Sequence, residues 1–301
     1  MTIKILLFGK GGQVGWELQR SLAPLGELVA LDFDSTDFNA DFSRPEQLAE
    51  TVLKVRPDVI VNAAAHTAVD KAESEPDFAR KLNATSPGVV AEAANQIGAL
   101  VVHYSTDYVF DGSGSKLWRE NDATGPLSVY GRTKLEGEQL VAANCPRHLI
   151  FRTSWVYAAR GGNFAKTMLR LARERDRLTV IDDQFGAPTG AELLADVTAH
   201  AVRATLQDEK KAGLYHLVAG GETSWHGYAK FVVEQAREVG VELKASTSTV
   251  DAVPTSVFPT PATRPQNSRL DTSKLRSTFG LTLPHWQAGV ARMLHETFGA
   301  T

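Results

Sequence analysis

The chain has 301 residues, 43% hydrophobic and 22% charged, with a formal net charge of -3. That is apolar material for one large domain plus a smaller one, and the charge balance excludes the basic excess of a nucleic-acid surface. A lone cysteine, Cys145, excludes an internal disulfide and fits a reducing cytosol; the first apolar run, residues 3–8, is too short for a signal peptide, and no segment approaches a membrane span.

The first half alternates short apolar runs with amphipathic stretches. Residues 3–8 read as a buried strand, 14–22 as a helix and 28–31 as a second strand. Ser43-Arg44-Pro45-Glu46 has the form of a capping box, Ser43 capping and Glu46 reaching back, and opens a helix to about Val55. Residues 59–61 form a third strand, 76–97 are largely helical and 100–104 form a fourth strand. A helix carrying Tyr130 follows, then a fifth strand at 148–151. Apolar strands without polar alternation, separated by helices, predict an α/β, doubly wound parallel sheet covered on both faces.

The second half is less regular. Helices are predicted at 164–174, 191–205, 225–239 and 286–298, with strands at 178–181 and 214–217. Residues 254–265 carry four prolines and read as an irregular loop. The pattern predicts a dinucleotide-binding domain over 1–157, taking in parts of about 164–235. A smaller, discontinuous mixed α/β domain, mainly 158–301, closes a cleft over the C-terminal edge of the sheet, where ligands bind in such folds.

Gly9-Lys10-Gly11-Gly12-Gln13-Val14-Gly15 directly follows the first strand and opens the first helix. Glycines there permit a tight turn and let backbone N–H groups approach a pyrophosphate at the helix N-terminus. The spacing is G-x-x-G-x-x-G at Gly9, Gly12 and Gly15, with Gly11, Gln13 and Val14 completing the cradle. An acidic residue at the end of the second strand commonly bonds the adenosine ribose. Asp32 is placed for that and favours NAD, Asp34 is an alternative, and Lys10 is placed to attract a 2′-phosphate, so NADH and NADPH both stay open. Asp41-Phe42 is a candidate adenine-edge contact, against a plain loop aspartate with solvent as partner. Ala63, Ala64 and Ala65 after the third strand let a cofactor pass close to the backbone.

Tyr130 and Lys134 lie four residues apart, on one helix face. A phenol beside a fixed ammonium has a lowered pKa, which suits carbonyl–alcohol redox chemistry. Thr106, closing the fourth strand in Ser105-Thr106-Asp107-Tyr108, offers a second donor to a substrate carbonyl. The residues thus read as a nicotinamide-dependent enzyme.

These features resemble the extended short-chain dehydrogenase/reductases and, within them, the dTDP-4-dehydrorhamnose reductase family. The resemblance covers nearly the whole chain. It rests on Gly9–Gly15, residues 61–70, 105–110 and 130–134, and continues through 152–157, 163–166, 183–189 and Arg264-Pro265. It implies a cytosolic enzyme in which Tyr130 is the general acid toward the C4 oxygen of a dTDP-sugar and Thr106 bonds the same carbonyl. Lys134 is implied to lower the Tyr130 pKa and hold the nicotinamide ribose, and Asn83 to hold a relay water. Tyr108, Trp155, Asn163, Gln184 and Arg264 are implied to bind the sugar nucleotide, Arg264 at its pyrophosphate. Some family members pair subunits through Mg2+; Glu17 and Glu192 match those positions, against a solvated helix surface, so a homodimer is implied with them.

Each position has a plainer rival: Trp155 as core, Arg264 as a loop arginine, His66 and Asp70 as a cap and a surface charge. His216, His226, His285 and His295 lack metal-ligand spacing and read as structural. Two other functions compete. A dehydratase would resemble Thr-Asp-Glu after the fourth strand, but Tyr108 stands where the second acid belongs; an epimerase shares the chemistry but not the longer matching blocks. The regulatory subunit of some methionine adenosyltransferases also resembles this family, and an intact Thr106, Tyr130 and Lys134 speaks against a purely non-catalytic role.

Overall fold

The computed structural model describes residues 2–298. In chain order the first half contains β1 (Ile3–Phe8), α1 (Gln13–Leu22), β2 (Gly26–Leu31), α2 (Pro45–Val55), β3 (Val59–Asn62), α3 (Val69–Ser74) and α4 (Pro76–Arg80). A π turn over Lys81–Thr85 leads into α5 (Ser86–Ile97), then β4 (Leu100–Thr106), α6 (Val129–Asn144) and β5 (His148–Thr153). The second half contains β6 (Val156–Tyr157), α7 (Phe164–Glu174), β7 (Leu178–Ile181), β8 (Phe185–Gly186), β9 (Thr189–Gly190), α8 (Ala191–Gln207) and β10 (Gly213–His216). It closes with β11 (Thr223–Ser224), α9 (Trp225–Glu238), β12 (Val250–Val253), α10 (Ser273–Phe279) and α11 (Trp286–Phe298).

Six strands form one parallel sheet in the order β10-β5-β4-β3-β1-β2. Both faces are apolar, which is why the strands show no polar alternation. Ile5, Leu7, Val61, Val102 and Phe151 face α1 and α8 through Leu18, Leu22, Leu194 and Val202. Their neighbours Leu6, Phe8, Ile60, Val101 and Ile150 face α2, α5 and α6 through Leu48, Val52, Val90, Ala94 and Val141. Each such fully buried side chain contributes roughly 1.5–3 kcal/mol of transfer free energy. A third core joins Leu169 of α7, Val180 of β7, Tyr228 and Val232 of α9 and Trp286 and Val290 of α11.

The capping box does not form. Pro45 excludes helical backbone at the residue before it, so Arg44 is the N-cap, at φ -127, with no side-chain cap bond, and α2 begins at Pro45. That moves Glu46 one position too early to reach back. Asp41 instead organises the entry, its Oδ1 accepting the Ser43 N–H at 2.8 Å. β4 and β5 run further than expected because Ser105, Thr106, Arg152 and Thr153, polar but buried, continue them.

The chain crosses from β2 over β1 to β3, so a crevice opens above β1 and β3 at the C-terminal edge of the sheet. Gly9, Asp32, Ala63, Thr106 and Ser154 each follow or end a strand along that edge.

Candidate active site

Gly9 follows β1 with φ +82, and a Cβ there would lie 2.7 Å from Ala64 N. Only glycine fits both the conformation and the close approach of the β3 loop. A Cβ on Gly15 would run into the Gly9 carbonyl, so the loop folds back tightly on itself. Gly12 is the N-cap of α1 and provides no side-chain cap. The first-turn N–H groups therefore face the crevice with the positive end of the helix dipole, a ready anion site. Asp32 accepts the Gly11 N–H at 2.8 Å and the Phe33 N–H at 2.9 Å, so its carboxylate is fixed beside the glycine loop.

Two hollows meet over this loop. One, of about 350 Å³, is lined by Gly9, Asp32, Phe33, Asp41, Phe42, Phe78 and Leu82. The other, of about 440 Å³, is lined by Gln13, Val14, Thr67, Thr106, Asp107, Tyr108, Tyr130, Lys134, Trp155 and Trp225. Gly12, Ala63 and Ala65 belong to both. The result is one elongated two-lobed cleft, with the glycine cradle at its waist, that fits a dinucleotide.

In the second lobe the chemistry-bearing side chains converge. Ser128 caps α6, accepting the Gly131 N–H at 3.1 Å, and so presents Tyr130 in the first turn. The Tyr108 and Tyr130 rings meet edge to face at 5.6 Å. The Thr106 hydroxyl donates to Asp107 Oδ1 at 3.1 Å and accepts the Tyr108 N–H at 3.2 Å. Burial pushes the Asp107 carboxyl up to about 7, against the pull of the Ser268 and Thr106 hydroxyls.

One expectation from the sequence is corrected. Lys134 does not lower the Tyr130 phenol: burial first, then the Asp107 charge, push it up to about 12, with the Thr106 hydroxyl opposing. Lys134 Nζ donates instead to the Tyr104 carbonyl at 2.6 Å and lies 3.4 Å from His103 Nε2. Burial lowers Lys134 to about 8, although Glu138 favours its charged form.

Asn83 lies in the π turn, with both ends of its amide committed: Oδ1 accepts the His66 N–H at 2.8 Å, and Nδ2 donates to the His66 carbonyl and the Thr133 hydroxyl, each at 3.1 Å. It ties α6 to the loop after β3. His66 bonds Glu75 at 2.6 Å. Three expected sugar-nucleotide residues do not line the cleft and have partners within the protein. Asn163 caps α7 and donates to the Ala158 carbonyl at 2.7 Å and to Gln13 Oε1 at 3.3 Å. Gln184 accepts the Trp225 indole N–H at 3.1 Å and donates to Thr255 at 3.0 Å. Arg264 makes a bidentate pair with Asp70, at 2.7 and 3.1 Å, which fastens the proline-rich loop after β12 to α3. Glu17 and Glu192 face one small cavity of about 50 Å³ with Arg20 and Arg292; no group of three metal-binding side chains occurs among the described residues.

Trp155 does line the cleft. It stacks on Trp225 with centroids 3.6 Å apart, and its backbone sits at φ +48, a strained conformation for an aromatic residue. Trp225 and Asp107 were missed as site residues by sequence reasoning, as were Phe33 and Phe78. Asp107 sits inside the quoted Ser105–Phe110 stretch and was legible there; nothing in the linear pattern pairs residues 155 and 225.

Residues 3–298 match the family model described as the RmlD substrate binding domain. The chain is 65% identical over 299 residues, 99% of each chain, to the dTDP-4-dehydrorhamnose reductase of Shigella flexneri. Among solved structures it is similar to a Clostridium acetobutylicum dTDP-4-dehydrorhamnose reductase, with a TM-score of 0.88 and 36% identity over 98% of this chain and 99% of that one. It is also similar to the Bacillus anthracis enzyme of that name in complex with NADP, with a TM-score of 0.87 and 33% identity over 99% and 100% of the two chains.

Proposed function

This chain belongs to the dTDP-4-dehydrorhamnose reductase family, a family of NAD(P)H-dependent oxidoreductases, and from that premise we propose that it reduces the C4 keto group of dTDP-4-dehydro-L-rhamnose to give dTDP-L-rhamnose. The observation that carries this reading is the meeting of Thr106, Tyr130 and Lys134 in a cleft continuous with the glycine cradle.

The uncapped N-terminus of α1 takes the pyrophosphate, Asp32 the adenosine ribose, and the hollow beside Asp41 and Phe42 the adenine. Lys134, held at the Tyr104 carbonyl, takes the nicotinamide ribose. When bound, NADH or NADPH supplies hydride. Tyr130 supplies the proton: a phenol pushed up to about 12 keeps it at neutral pH and gives it to the C4 oxygen only as that oxygen becomes an alkoxide, a stronger base than a phenolate. Thr106 stands beside Tyr130 as the second donor toward the same oxygen, its hydroxyl turning to it from Asp107 Oδ1 when substrate binds. Trp155, Trp225 and Tyr108 form the walls against which the sugar ring lies. The layer built on α7, α9 and α11 is the substrate-binding unit, and Glu17 and Glu192 are carboxylates for an Mg2+ ion between two copies.

The test follows NAD(P)H absorbance with dTDP-4-dehydro-L-rhamnose as substrate. Tyr130→Phe is expected to lower kcat by roughly 10²–10⁴ while cofactor Kd stays within a few-fold. Turnover within a few-fold of the unaltered protein would remove Tyr130 as the acid.

A further inference from the structure

His103 is buried on β4, 1% exposed, directly across from Asn62 in the β3–β4 register. Asn62 Oδ1 accepts the Ala64 N–H at 3.0 Å, which fixes which way the amide faces. Its Nδ2 therefore donates to His103 Nδ1, at 3.2 Å. A neutral imidazole has one acceptor nitrogen, so the proton sits on Nε2. That N–H faces Lys134 Nζ at 3.4 Å. An ammonium has only donors and cannot accept it, whereas a neutral amine can.

We propose that His103, with its tautomer locked by Asn62, is a positioning residue that favours the neutral form of Lys134 Nζ, which the Tyr104 carbonyl holds against β4. The proposal rests on the reading of Lys134 as part of the reductase site. Glu138, from α6 itself, acts the other way, but Arg152 of β5 holds that carboxylate at 2.7 and 2.9 Å and shares its charge. Tyr130, one turn earlier on α6, is neutral near pH 7, and Asp107 is the remaining acid lining this lobe of the cleft. His103 stays uncharged beside Lys134, because burial and the lysine charge both drive its pKa well below the ordinary value. The direction found for Lys134, down to about 8, agrees with this arrangement. His103 does not reach the substrate; its effect is to set the pH at which Lys134 changes charge.

The experiment has three parts. Nitrogen-15 NMR of the unaltered protein reads the His103 tautomer, expected bare at Nδ1 and protonated at Nε2; the opposite tautomer overturns the proposal without any variant. The ε-carbon signal of Lys134, assigned by its loss in Lys134→Arg, is then titrated in the unaltered protein, in His103→Leu and in Asn62→Ala, which releases the tautomer lock without adding charge. Both variants are expected to raise the Lys134 titration by about one unit and to carry the alkaline limb of kcat with it. Lower rates at every pH with an unmoved Lys134 titration would reduce His103 to packing and overturn the proposal. Tyr130→Phe separates this from the reductase reading: if it keeps turnover, the acid assignment falls, while the dependence of the lysine signal on His103 is still decided by NMR.

Discussion

Gly137 touches no part of the cleft, yet its replacement by alanine is expected to disable the site. It lies on α6 one turn after Lys134, with its missing side chain facing the carbonyl of Asn83 in the π turn. An added Cβ would overlap that oxygen by about 1 Å relative to the shortest distances real Cβ atoms tolerate. The obstacle is backbone held by a paired asparagine, so it cannot swing aside; α6 must lift. Overpacking of this kind costs about 1–3 kcal/mol, offset by about 1 kcal/mol from the better helix propensity of alanine. Net destabilisation of up to about 2 kcal/mol lowers Tm by at most about 3 °C. The rate is the more sensitive readout, since a displacement of about 1 Å at a reacting group costs about 100-fold. We therefore expect Gly137→Ala to lose about 100-fold in kcat in the NAD(P)H absorbance assay. Gln139→Ala, at an exposed position of the same helix, should behave like the unaltered protein. A Gly137→Ala protein with kcat within 3-fold of the parent would show that α6 does not depend on its seat against the π turn.

Asp32→Ala removes a carboxylate fixed beside the glycine loop that, on the proposed reading, would bond a ribose hydroxyl and repel a 2′-phosphate; the ratio of NADPH to NADH kcat/KM should then rise by about tenfold, and an unchanged ratio would place the adenosine ribose elsewhere. Burial, with Arg152 adding to it, lowers His216 to about 3. Its folded pKa lies below its unfolded value near 6.5, so its neutral form contributes stability that is present above about pH 6.5 and lost as the pH falls toward 3. The stability difference between the unaltered protein and His216→Gln, read by urea unfolding, should thus shrink by about 1.4 kcal/mol per unit below pH 6.5; a difference independent of pH refutes the assignment. Sedimentation velocity with and without EDTA tests the proposed Mg2+ contact: the dimer should dissociate on chelation and in Glu192→Ala, and a chelator-insensitive species sinks it.

The doubly wound sheet was legible because its strands are apolar on both faces, and the glycine loop because strand, turn and helix signals coincide within Ile3–Leu22. Tyr130, Thr106 and Lys134 were legible as residue types at strand and helix ends. What they do to one another was not, because it depends on which atoms face which. Burial and the Asp107 charge keep the Tyr130 phenol raised, while Lys134 bonds the Tyr104 carbonyl. Pro45 displaced a correctly recognised helix start by one residue. Asn163, Gln184 and Arg264 carry polar side chains that sequence reading assigned to a ligand; the fold engages each with a neighbour. The π turn at Lys81–Thr85 leaves no mark in composition, since it differs from an α-helix only in one extra residue per turn.

The path of the chain bears on how this protein is made. Synthesis of residues 1–157 yields five of the six sheet strands, but the sixth, β10, pairs with β5 only after the chain has passed through β6 to β9. Until α8 arrives, Leu194, Val197, Ala201 and Val202 are missing from the face that Val102, Leu149 and Phe151 present. A nascent chain halted at that stage shows both an open strand edge and a bare apolar face, the two features through which partly made proteins stick to one another. Premature stops between β5 and β10 are therefore not small losses at the periphery; they leave the nucleotide-binding sheet itself unfinished on the ribosome.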